Sequence, residues 1–204
     1  MKIQLSDFQN KPHITITEEE VNGAKLYIAT SDIYWGADIY REARGITFDE
    51  NGDVVVRPFA KFYDGIEETP FTDLIIEGAK YYKNVHGHTV TPIVIDGKVF
   101  FKTKESFYST EAQECQLAFA ADENIVKFCN YMKLLNMTPI FKYDFLDGLT
   151  LLDIRRFDGL HILRVTSEYL AKCHNLDIVK KIEGTLDKSP YFMVLRNRKR
   201  VKMG

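Results

Sequence analysis

Apolar and polar residues alternate with a period of two in several short runs of this chain, and most runs end at a Gly, Asn, Asp or Pro. That is the signature of short antiparallel strands joined by tight turns. Residues 14–17 and 25–28 form the first two such runs, with the acidic cluster Glu18, Glu19 and Glu20 between them. Residues 31–43, carrying Tyr34, Trp35, Ile39 and Tyr40, predict a loop or short helix leading into a strand. Runs at 45–48 and 54–57 flank Asn51-Gly52 and predict a hairpin, which Pro58 ends or holds at an edge. Residues 69–72 predict a turn and 73–79 one short helical turn. The segment 83–90 opens with polar residues ending in Gly87, and Asp96-Gly97 turns it into the run 98–104.

The period then lengthens. Across 109–135, Cys115, Phe119, Ile125, Phe128, Cys129 and Leu135 recur at helical spacing. Residues 121–124 split this region into two helices, with Asp122 positioned to cap the second. Alternation resumes at 139–146 and turns at Asp147-Gly148. Runs at 150–154 and 161–165, joined by Asp158-Gly159, predict two more strands. Residues 166–183 predict a helix with Ser167 as its cap and Leu170, Cys173 and Ile178 facing inward. A last hairpin is expected over 191–201. Many antiparallel strands with two or three inserted helices make an α+β fold.

Composition adds bounds. The 204 residues are 45% hydrophobic and 27% charged, enough for one domain with a sizeable core and not the profile of a disordered chain. A net charge of −2 gives no global field for nucleic acid, although 196–204 cluster Arg196, Arg198, Lys199, Arg200 and Lys202. That basic tail reads equally as an RNA-tracking segment and as a protective edge hairpin. Three cysteines without short paired spacing read as reduced thiols of an intracellular protein. No apolar run is long enough to span a bilayer and the N-terminus lacks a signal-peptide core, so a cytoplasmic protein with no membrane partner is expected.

Several segments taken together resemble one family. They are Arg44-Gly45-Ile46-Thr47-Phe48, the run from Arg57 to Tyr63, Thr69-Pro70-Phe71-Thr72, the segment 83–104, Tyr143-Asp144-Phe145 and the terminal hairpin. In order and spacing they are similar to the adenylation domain of the bacteriophage RNA ligases of the RNA ligase 1 group, within the covalent nucleotidyltransferase superfamily. The likeness runs over residues 27–204, with 1–26 as an extension of a single domain 1–204. It implies antiparallel sheets around a nucleotide cleft, with helices outside. In that family a lysine of a K-x-x-G motif attacks ATP and forms a lysyl-adenylate, later passed to an RNA 5′-phosphate. An amine nucleophile must lose its proton, cations must stabilise the phosphate, and carboxylates hold Mg²⁺ and ribose.

Carried over residue by residue, the lysine position is Asn84, followed by Val85, His86 and Gly87. Asn84 has no amine, so no catalytic residue is intact. Lys83 is adjacent, but a one-residue shift on an extended chain turns its side chain to the other face. Arg44, Lys61, Lys102 and Lys104 match basic positions around the nucleotide, against the simpler reading of each as a solvated cation. The family's glutamate falls on Asp144, the candidate metal ligand. Asp144, Asp147 and Asp153 form a group able to hold Mg²⁺, against which Asp147 reads as a turn residue and Asp153 as a strand end. His86 and His88 lack a third metal ligand. A later glutamate–glycine pair falls on Ser189-Pro190, or alternatively on Glu183-Gly184. The final lysine-x-lysine retains Lys202, and the C-terminal RNA-specificity domain is expected to be absent.

The nucleotide-binding set implied by the resemblance is therefore Arg44, Lys61, Asn84, Val85, Gly87, Lys102, Lys104, Asp144 and Lys202. The expected function is an RNA-ligase-like protein that has lost or nearly lost self-adenylation. It would bind ATP or another nucleotide, a 5′-phosphorylated RNA end, or a host protein, as a phage accessory or counter-defence factor. The alternative is an ATP-dependent RNA ligase with its lysine substituted at position 84.

Overall fold

Tight turns between alternating runs lock the chain into antiparallel hairpins. The computed structural model describes residues 3–33, 37–62, 80–83, 85–179, 191–194 and 200–203. These belong to two compact units, Met1–Ala60 with Gly87–Ile178, and Lys61–His86 with Val179–Gly204.

The first unit holds two four-stranded sheets. In one, β1 (Ile14–Val21), β2 (Ala24–Ser31), β3 (Arg44–Phe48) and β4 (Val54–Val56) lie side by side in sequence order, with α1 (Asp38–Glu42) before β3. Asn22-Gly23 joins β1 to β2 with φ of 49° and 79°, the left-handed pair that a two-residue hairpin needs. The second unit's first strand, β5 (Lys80–Lys83), comes next in the chain. The first unit resumes with β6 (His88–Ile95) and β7 (Lys98–Lys102), turned at Asp96-Gly97 with φ of 49° and 77°. Helices α2 (Thr110–Phe119) and α3 (Glu123–Leu134) follow, then β8 (Met137–Asp144), β9 (Gly148–Arg156) and α4 (Arg164–Cys173). The second sheet has the order β7-β6-β8-β9 and is wholly antiparallel.

One face of this second sheet carries the main core. Val90, Val99, Phe101, Phe141, Tyr143 and Leu151 pack there against Cys115 of α2, Ile125, Phe128, Cys129 and Met132 of α3, and Ala171 of α4. The helices are capped as their sequences suggest. Ser109 Oγ accepts from the Ala112 N–H, and Asp122 Oδ1 accepts from the Ile125 N–H at 3.0 Å. The opposite face meets the first sheet through Ile93 with Val21, Leu26, Ile28, Val56 and Phe107. A third cluster, with Phe8, Ala29, Ile46 and Phe48, lies under the N-terminal turn.

In the second unit, β10 (Tyr191–Val194) pairs with both β5 and β11 (Arg200–Met203) in a three-stranded antiparallel sheet. The terminal hairpin is thus present among the described residues, and β5 is a strand the sequence pattern does not announce.

Two expectations are corrected. The run 161–165 is not a strand. Gly159, at φ 94°, turns the chain back, but pairing with β9 stops after the single bridge Arg155–His161 and the next residues enter α4. Helical packing of Ser167 and Ala171 against the sheet overrides the β-branched local preference. The helix also stops at Cys173 rather than running to 183, because Asn175 at φ 54° takes the left-handed conformation that ends helices. Consequently Cys173 is exposed rather than inward, and Ser167 lies buried inside the helix rather than capping it. The readings made on Tyr34, Trp35, Tyr63, 69–79, Asn84, 183–184, 189–190, 195–199 and Gly204 lie outside the described residues.

Candidate functional site

Because the second sheet is antiparallel throughout, the start of β6, the end of β7, the end of β8 and the start of β9 share one end of it. Gly87, Asp144 and Gly148 gather there. Gly87 is glycine for two physical reasons. Its φ is 101°, and a Cβ at this position would stand 2.1 Å from the Tyr143 carbonyl oxygen. Gly45 repeats the pattern. At φ 89°, its Cβ would stand 2.4 Å from the Lys104 carbonyl oxygen. The second residue of β3 therefore lies directly on the backbone that follows β7, which brings Arg44 and Gly45 beside Lys102 and Lys104.

Lys102 holds this junction from inside. It is fully buried, and its Nζ donates to the Gly45 carbonyl at 2.9 Å and to the Thr103 carbonyl at 2.8 Å. The Phe107 ring lies 5.9 Å away. Burial pushes the ammonium down to about 7, against Glu19, which favours the charged form. Glu19 of β1 also fixes the neighbouring loop. Its two oxygens accept from Ser106 Oγ at 2.5 Å and from the Phe107 N–H at 2.9 Å.

Arg44 is half-buried at the start of β3, and Lys104 is about half exposed and pairs with Glu105 at 3.0 Å. Asp144 ends β8, and its Oδ1 accepts from the Leu146 and Asp147 N–H groups, at 2.9 and 3.2 Å, across the β8–β9 turn. Asp147 is a residue of that turn. Asp153 is nearly buried and 3.0 Å from His161 Nδ1, so the three aspartates do not form one group. Among the described residues no cluster of three His, Cys, Asp or Glu is placed to hold a metal. His88 points to the helix side, where its Nδ1 lies 3.9 Å from Glu111. In the second unit, Lys83 pairs with Tyr191, and Lys202 and Tyr82 flank Phe192 on either side. Lys61 and Val85 belong to that unit as well, and Asn84 lies outside the described residues.

Two features escape a reading of the sequence. Glu42 Oε1 and Oε2 accept from Arg155 at 2.5 Å and Arg57 at 3.2 Å, with both arginines almost fully buried. Arg155 also donates to the Pro58 and Gly159 carbonyls, and Arg57 to the Phe157 carbonyl. Burial raises the Glu42 pKa, and Arg155 and then Arg57 more than reverse that, leaving it lowered. No local pattern joins three residues so distant in the chain. The second feature is Lys142, whose Nζ donates to the Gly87 carbonyl at 2.6 Å. Its signal was available, since a lysine between core residues Phe141 and Tyr143 must occupy the other face of its strand.

No family model matches the chain, and no curated protein matches it. Among solved structures it is similar to an archaeal ATP-dependent RNA ligase, form 1, with a TM-score of 0.60 at 11% identity. The match covers 94% of this chain and 58% of the ligase chain. At that identity the likeness establishes the fold alone: α+β, antiparallel, of the RNA-ligase nucleotidyltransferase type.

Proposed function

We propose that this chain is an RNA-ligase-like protein that binds a nucleotide or a 5′-phosphorylated RNA end and has lost, or nearly lost, self-adenylation. The observation that carries the reading is the asymmetry between cations and nucleophile. The Gly45 backbone lies on that of Lys104 and accepts from the Lys102 ammonium, which brings Arg44, Lys102 and Lys104 to one junction, while the residue three before Gly87 is Asn84. Arg44 and Lys104 are assigned to phosphate oxygens, with Lys102 bracing the start of the strand that carries Arg44.

The donor set fits a phosphate better than a resident metal. Guanidinium and ammonium groups suit phosphate oxygens, whereas Asp144 already serves the turn and no three metal-ligating side chains cluster among the described residues. Mg²⁺ in such a site would ride on the ligand's own phosphates, with Asp144 as its protein contact. The Asn84 amide can donate a hydrogen bond to a phosphate oxygen. Its nitrogen lone pair is delocalised, so it cannot attack phosphorus as an amine does. A second reading, a ligase whose lysine was substituted at 84, is favoured by the fold's likeness to an ATP-dependent RNA ligase.

Labelled ATP and Mg²⁺ separate the two. The unaltered chain and Asn84→Lys are incubated and examined for covalent label. The expected result is no label on the unaltered chain and little on the variant. Label on the unaltered chain sinks the proposal, and efficient labelling of Asn84→Lys favours the second reading.

A further inference from the structure

The face of the second sheet turned away from its helices changes character along its length. Where it meets the first sheet it is apolar, with Ile93, Ile95 and Phe100. Toward the Gly87 end it becomes polar. Register places Thr89 of β6 opposite Lys142 of β8, and Lys142 opposite Thr150 of β9. Their neighbours Val90, Phe141, Tyr143, Leu149 and Leu151 all belong to the helix-side core, so the pleat puts Thr89, Lys142 and Thr150 in one row on the opposite face. The row spans three strands, about 10 Å across. All three residues are half-buried, neither sealed nor free in solvent.

Lys102 lies on this same face, since Phe101 beside it enters the core and its partner Thr91 lies one step along β6 from the row. The two amines differ in access. Lys102 is fully buried against two carbonyls, whereas Lys142 is partly exposed and reaches the carbonyl of Gly87 itself. Hydroxyl, ammonium and hydroxyl in a row are hydrogen-bond donors with a net positive charge, a match for phosphate oxygens.

We propose that Lys142, flanked by Thr89 and Thr150, is a phosphate-binding residue of this protein, its amine brought from β8 to the Gly87 carbonyl. The inference rests on the nucleotide-binding reading and adds a residue that reading does not contain. Ligand binding would draw the ammonium toward the phosphate while Gly87 keeps the backbone close. The ligand class is a nucleotide recognised through its phosphate, so ATP must bind more tightly than adenosine.

Calorimetry with ATP and with adenosine tests this on the full chain, on Lys142→Met and on Lys142→Gln. The glutamine keeps an N–H donor for the Gly87 carbonyl and removes only the charge, so it guards against a folding defect in the methionine variant. Lys127→Met, on the exposed face of α3, is the control. The unaltered chain and the control are expected to bind ATP at least tenfold more tightly than adenosine. Both Lys142 variants should lose at least tenfold for ATP and keep their adenosine affinity. Unchanged ATP affinity in Lys142→Gln overturns the assignment and leaves the nucleotide reading standing. Equal loss for ATP and adenosine makes Lys142 a structural tie and also overturns it. An unaltered chain that binds neither ligand removes the nucleotide reading and this inference together.

Discussion

Lys102 makes the stability of this protein depend on pH in an unusual direction. Its ammonium is buried with Glu19 as its charged neighbour, and burial pulls it from an ordinary 10.5 to about 7. A neutral amine still has two N–H donors, enough for the Gly45 and Thr103 carbonyls, so the proton can leave without breaking the junction. Between pH 7 and 10.5 the unfolded chain holds a proton here that the native chain has released. Stability therefore rises with pH across that window, is fully present above 10.5, and is lost as pH falls through about 7. At roughly 1.4 kcal/mol per pH unit the whole effect is about 5 kcal/mol. Between pH 7 and 8.5, where few other groups titrate, it amounts to about 1.5–2 kcal/mol.

Lys102→Met removes the titrating group and keeps an unbranched chain of similar length. Urea unfolding followed by circular dichroism at pH 7.0, 7.5, 8.0 and 8.5 gives stability curves for both proteins. The unaltered chain should gain about 1.5–2 kcal/mol relative to the variant over this range. A constant offset reflects the two carbonyls left without donors, about 1–3 kcal/mol each, and does not touch the slope. The thiols of Cys115 and Cys129, both pushed up by burial, lower stability above pH 9, but equally in the two proteins. Parallel curves within about 0.3 kcal/mol would refute the claim that Lys102 is folded around as a largely neutral amine above pH 7.

The other predictions follow from contacts already described. Glu42→Gln leaves Arg57 and Arg155 buried without a counter-charge and should cost about 3–5 kcal/mol in urea unfolding. Gly87→Ala drives a methyl into the Tyr143 carbonyl and should cost well over the about 1–2 kcal/mol of positive φ alone; Gly97→Ala, with nothing within 4 Å, should cost only that amount in the same thermal melts. A thiol reagent should label Cys173 in the native protein and reach Cys115 and Cys129 only on unfolding, because burial pushes the Cys115 thiol up to about 12 and encloses both.

The hairpins were legible because each carries its own cause. Asn51-Gly52 and Asp96-Gly97 supply turn geometry locally, and Ser109 and Asp122 cap their helices from one turn away. The region 161–175 was not legible, because packing of Ser167 and Ala171 decided it over the local preference of His161-Ile162-Leu163-Arg164-Val165. Strand β5 was hidden for a similar reason, its partner Tyr191–Val194 being more than a hundred residues away. Of the candidate site, Arg44, Gly45, Gly87, Lys102 and Lys104 were visible through resemblance. Their packing, with Gly45 on Lys104 and Gly87 on Tyr143, was not.

The packing around Gly87 bears on the proposed phosphate residue. The Gly87 carbonyl is taken by Lys142, from a strand more than fifty residues away, and the face around it carries donors on both neighbouring strands. A lysine on the interior face of a sheet loses hydration, a cost that a bound phosphate would offset. ATP should therefore raise the melting temperature of the unaltered chain more than that of Lys142→Gln, while adenosine should shift both alike. An equal rise with ATP in the two proteins would mean that Lys142 does not meet the phosphate.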